Sequence, residues 1–113
     1  MRPIYKIVSR AAWQAAVREG QFLGSAVDLT DGYIHFSEAD QLRETARKHF
    51  AGQADLVLVT VDADQLDPAP VWEPSRGGAL FPHLYGPLPV RAAVAVRDLT
   101  VDADASDLAG FGA

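Results

Sequence analysis

The run Leu56-Val57-Leu58-Val59-Thr60-Val61, inside DLVLVTVD at 55–62, constrains the fold more than any other stretch. Aliphatic and β-branched side chains follow one another with almost no polar interruption. A strand of that kind has no face for water and is covered on both sides, so it belongs at the centre of a sheet. The rest of the chain must supply strands for its edges and layers for its faces. With 113 residues there is room for one domain around it. The 49 % of apolar residues suffice for one core, and 22 % charged residues is an ordinary globular balance.

The flanking segments read as short elements. IYKIVS at 4–9 alternates as a strand, with Tyr5, Ile7 and Ser9 on one face and Ile4, Lys6 and Val8 on the other. Ser9 caps a helix over 10–19, whose stripe is Trp13, Ala16 and Val17 and whose stop is Gly20. Residues 21–32 are less regular, and VDLTDG reads as a turn. Tyr33–Phe36 is a short strand, followed by Ser37-Glu38-Ala39-Asp40 in the form of a capping box. The helix then covers 38–50, with Ala39, Leu42, Ala46 and Phe50 inward and Gly52 beyond its end.

VWEP reads as a further strand and SRGGA as a loop. LFPHLYG is extended, and Pro82, lacking an N–H, makes it an edge strand or a strand end. GPLP turns the chain into a last strand over 91–99, after one helical turn. The expected class is α+β, with about five short strands and two early helices. The globular domain is expected over 1–100. Segment 101–113, with Asp102, Asp104 and Asp107, is expected to be an acidic flexible tail.

Several functions are disfavoured. No stretch approaches the roughly 18 to 20 apolar residues of a membrane span. MRPIYKIVSR has no long apolar block behind its charges and does not read as a secretory signal. The chain lacks cysteine, which rules out disulfides, thiolate chemistry and a Cys-based zinc site, and makes the cytoplasm the default location. A net charge of −5 repels a phosphate backbone, so no nucleic-acid partner is expected. His35, His49 and His83 show neither HxH nor HxxxH spacing, and no metal is expected. There is no Gly-x-Ser-x-Gly elbow and no Walker or dinucleotide fingerprint.

Three groups of residues could carry chemistry. His35 alternates with Ile34 and Phe36, so that Tyr33, His35 and Ser37 share the face turned away from the expected core. This face lies beside a helix N-terminus, which favours anionic or carbonyl ligands. His35 is either a backbone-bonded structural histidine or a ligand contact, and Ser37 either a cap or part of a site. In FPHLYG, His83 and Tyr85 present two polar-tipped rings on one face. In WEPSRGG, Glu73 and Arg76 stand beside Gly77-Gly78, which lets backbone approach a ligand closely.

An early IYKIVS, a Trp-containing helix, DGYIHFS and WEPSRGGALFPHLYGPLP, in this order, resemble the bacterial domain-of-unknown-function family 952 over about residues 3–99. That family looks like a minimal ADP-ribosyltransferase-like fold, which implies two small sheets with a cleft between them for NAD or ADP-ribose. Ile34-His35-Phe36-Ser37 is similar to the Val-His-Leu-Ser strand of RNA 2′-phosphotransferases, and Lys6 stands where relatives often carry a histidine. The resemblance implies that His35 and Tyr85 hold the ribose or base. It places Ser37 and His83 beside them and gives the phosphates to Arg76. Glu73 would stabilise a developing oxocarbenium ion, making Glu73 and His35 the catalytic pair. The residues do not decide between a transferase, a catalytically silent remnant and a metabolite-binding module. A fourth reading has FPHLYGPLP offering a strand edge to a protein partner. The expected state is a monomer or weak dimer.

Overall fold

The computed structural model describes residues 1–112, with the side chain of Arg76 outside the description. Its centre is a three-stranded antiparallel sheet, in which β4 (Leu56–Asp62) lies between β1 (Pro3–Ser9) and β8 (Ala93–Leu99). Both faces of β4 are covered, as its composition requires. Val57, Val59 and Val61 enter one cluster with Ile4, Val8, Trp13, Phe22, Ile34, Phe36, Leu84 and Leu88. Leu56 and Leu58 enter the other with Ile7, Leu42, Ala46 and Leu99.

Helix α1 (Arg10–Glu19) begins and ends as its sequence specifies. Ser9 Oγ accepts the Ala12 N–H at 3.1 Å, and Gly20 closes the helix in the left-handed region at φ 86°. Its inward stripe narrows to Trp13 and Ala16, leaving Val17 54 % exposed. Helix α3 (Ala39–His49) buries Leu42 and Ala46. Its cap is Glu38 rather than Ser37, and Gln41 Oε1 takes the Glu38 N–H at 2.9 Å. The capping box is therefore shifted by one residue from the expected one.

The stretch expected to be irregular contains β2 (Gln21–Phe22) and a third helix, α2 (Ala26–Asp31). β2 pairs with β7 (Leu88–Pro89). The third sheet has the order β3 (Ile34–His35), β6 (Leu80–Leu84), β5 (Val71–Pro74). The described residues thus form three helices and eight strands in three small antiparallel sheets, instead of two helices and about five strands in two sheets.

Pro82 is expected to mark an edge strand or a strand end, yet β6 lies in the middle of its sheet with Pro82 inside it. The reason is the shortness of β3. A strand residue points its N–H and C=O to the same side, and the Pro82 carbonyl accepts the Phe36 N–H at 3.0 Å, beyond the end of β3. The absent N–H of Pro82 faces the same place, where the paired strand has already stopped. With both edges of β6 paired, strand addition by a protein partner at FPHLYG has no free edge to use.

The acidic end segment, expected to fray, is packed. Val101, Ala105 and Leu108 are each 1 % exposed within the second cluster, and Phe111 sits edge-on to Tyr5 with ring centroids 5.0 Å apart. Val101 exchanges backbone hydrogen bonds with Gly52 and Gln53 at 2.8 and 2.9 Å. Gly112 lies so close to α3 that an added Cβ would stand 2.7 Å from the Ala39 carbonyl oxygen.

Phe36 is 2 % exposed in the first cluster. Replacing it with alanine is expected to destabilise the protein by roughly 3–5 kcal/mol, as large core truncations do, measured as the shift in a denaturant unfolding curve.

Candidate functional site

The β3–β6–β5 sheet has two unlike faces. Ile34 opposite Leu84, and Trp72 opposite Pro82, pack on the core. On the other face His35 is the register partner of His83, and His83 in turn lies opposite Val71. The rings of His35 and His83 meet edge-on at 5.5 Å. Tyr33 ties the group together, stacked on His83 at 4.1 Å and lying 4.6 Å from His35 and 5.2 Å from Tyr85.

His83 faces one carboxylate and His35 two. Glu73 Oε1 is 2.7 Å from His83 Nδ1 and accepts the Tyr85 hydroxyl at 2.7 Å. Hydrogen bonds from Tyr85 and His83 hold the Glu73 carboxyl below its usual range, so it is ionised at neutral pH. The same bond to Glu73 pushes the Tyr85 phenol up to about 12. Burial, with Asp31, Glu73 and Asp28 nearby, raises the Tyr33 phenol as well.

The first His35 carboxylate is Asp28, which α2 carries into the interior, where it is 2 % exposed. Its Oδ1 lies 2.6 Å from His35 Nδ1 and accepts the His35 backbone N–H at 3.2 Å. Its Oδ2 takes the Ser25 N–H at 2.8 Å and faces Lys6 Nζ at 2.9 Å. Asp31, at the end of α2, brings Oδ2 to 2.9 Å from His35 Nε2. Burial alone would raise the Asp28 carboxyl. The Lys6 charge and the hydrogen bonds from Ser25, His35 and Lys6 outweigh that and leave it lowered. Burial likewise pulls the Lys6 ammonium below its ordinary value, against the pull of Asp28. An ion pair this deep repays its desolvation only when its remaining hydrogen-bonding capacity is met, as it is here.

His35, Glu73, His83 and Tyr85 therefore come together on one face. The hydrogen bonds of Ser37 among the described residues run elsewhere. It bridges to Tyr5 through two backbone bonds of 2.9 Å, and its hydroxyl lies 3.1 Å from Thr45 Oγ1. The Arg76 side chain lies outside the described residues. Lys6, Asp28 and Asp31 escaped the sequence reading as site residues, although Ser25-Ala26-Val27-Asp28 has the Ser-x-x-acid spacing of a helix start. Surface cavities of about 360 Å³, beside Arg2 and Glu38, and about 550 Å³, beside Arg43 and Arg47, include none of these residues. The rings fill the face by stacking on one another. One polar atom is left over, since His83 is 2 % exposed and its Nε2 has no hydrogen-bond partner among the described residues.

The fold and this face define a small α+β protein with two carboxylate–imidazole pairs set side by side across one strand pair. The chain belongs to the family described as protein of unknown function (DUF952), whose model matches residues 7–96. Among solved structures it is similar to protein CC0527 of Caulobacter crescentus. The crystal structure of that protein is 54 % identical with a TM-score of 0.87, the match covering 95 % of this chain and 98 % of that one. The solution NMR structure of CC0527 is 56 % identical with a TM-score of 0.81, over 93 % and 90 % of the two chains. No curated protein matches the chain.

Proposed function

We propose that the chain binds a small nucleotide-like ligand, of the NAD or ADP-ribose type, over the ring face built from the IHFS and FPHLYG segments. In this reading the protein is an ADP-ribosyltransferase-like transferase or the remnant of one, working in the cytoplasm. The observation that carries it is the cross-strand pairing of His35 with His83, each facing a carboxylate. A sheet needs no such pairing to fold, and apolar side chains would cover the face at lower cost. Titratable groups whose neighbours shift them, gathered on one face, mark functional sites more often than chance.

The roles follow from chemistry. Tyr33 and Tyr85 offer ring faces on which a base stacks. His35 and His83 contact the sugar or base, and Arg76 meets the phosphates. Glu73 is ionised and half-exposed. A placed carboxylate of that kind stabilises positive charge developing at a sugar carbon.

The test is a thermal-shift panel of nucleosides, nucleotides and NAD on wild type and His35→Ala. A ligand present at about 100 times its dissociation constant adds about 2.7 kcal/mol of stability, and the variant is expected to fold and to lose that shift. Ligand breakdown followed by chromatography, abolished in Glu73→Gln, marks a transferase; binding without breakdown marks a metabolite-binding module. If no nucleoside or nucleotide stabilises the wild type, the reading fails.

A further inference from the structure

The hydrogen-bond balance of the ring face selects its ligand. A carboxylate can only accept, so the proton shared by Glu73 Oε1 and His83 belongs to Nδ1. In a neutral ring that leaves Nε2 as an acceptor, and it is one of two buried side-chain nitrogens with no partner among the described residues, the other being Trp72 Nε1 on the core side of the sheet. The unmet valence under Tyr33 therefore calls for a donor. The carboxylates set the charge of the face. Asp28, Asp31 and Glu73 bring three of them to the two histidines, and the one described lysine or arginine among them, Lys6, is already held by Asp28. A phosphate brought here would meet Asp31 and Glu73, which are 39 % and 35 % exposed.

We infer that the group entering this face is a neutral or cationic hydrogen-bond donor, the base and sugar end of a nucleoside, and that phosphates stay outside it. This rests on the nucleotide-like reading above and narrows it to one end of the ligand. Tyr33 now covers His83, so a donor reaches Nε2 only when the base takes the place of Tyr33 against the imidazole.

Titration calorimetry with adenosine, AMP and ADP tests the inference. At low salt adenosine is expected to bind at least about fivefold more tightly than AMP, and the gap should shrink in high salt, where charge repulsion is screened. Glu73→Gln should narrow the gap by removing one repelling charge. His83→Phe keeps a ring but lacks the acceptor and should weaken adenosine binding while the protein stays folded. Equal or tighter binding of AMP and ADP, lost in Arg76→Ala, would overturn the inference and leave the nucleotide reading in place. Failure of all three compounds to bind would overturn both.

Discussion

Ending the chain at Thr100 is expected to leave a protein that no longer folds stably. The deleted segment supplies Val101, Ala105 and Leu108, all essentially without solvent contact, together with the Phe111 ring against Tyr5. Burying a side chain such as Val or Leu is worth roughly 1.5–3 kcal/mol. The deletion also uncovers Ile7, Leu42, Leu56 and Leu58, on which the segment packs, and breaks the backbone pairing of Val101 with Gly52 and Gln53. The loss is about 4–7 kcal/mol from the side chains alone, against a total stability of roughly 5–15 kcal/mol for a domain of this kind. Thermal melts followed by circular dichroism should show the cooperative transition lost or lowered by tens of degrees. An unchanged melting temperature would mean that the docked segment contributes nothing in solution.

Asp28→Ala is the second large effect, expected at roughly 3–5 kcal/mol, the usual consequence of removing one partner of a buried ion pair. It strands the Lys6 ammonium, the His35 ring and backbone N–H, and the Ser25 N–H in one step. Lys6→Met should cost less, because Asp28 keeps its bonds from Ser25 and His35. The pH dependence follows from the lowered carboxyl. Its folded pKa lies below the unfolded value of about 3.9, so its stabilisation is present above that pH and is lost as pH falls through the folded pKa. Acid titration of wild type and variant, read by urea unfolding, should show the difference between them shrinking below about pH 4.

These two segments also mark where sequence reasoning stopped. β4 was legible because no polar residue interrupts it, and α1 because Ser9 and Gly20 punctuate both ends. The end segment misled because its acids dominate local composition. Its apolar residues at 101, 105 and 108 reach the core through turns and one 3-10 turn, Ser106–Leu108, with no period that pattern reading detects. Pro82 misled because its meaning depends on how far the neighbouring strand runs, which is a property of pairing and not of β6. His35, His83 and Tyr85 were visible as residue types on strand faces through alternation, whereas Glu73 was read beside the Gly77-Gly78 loop and joins them through its bonds to His83 and Tyr85. Lys6 and Asp28 were not visible, since 22 positions separate them and only the packing of α2 against β1 and β3 makes them partners.

The central claim, that the His35–His83 face is a ligand site, is tested most directly by nuclear magnetic resonance of the imidazole rings during titration with adenosine. His35 and His83 ring nitrogens should shift together and saturate, with Tyr33 ring protons following, while His49 on α3 stays in place. Unmoved His35 and His83 resonances at saturating adenosine, or shifts confined to the cavity beside Arg2 and Glu38, would contradict the claim.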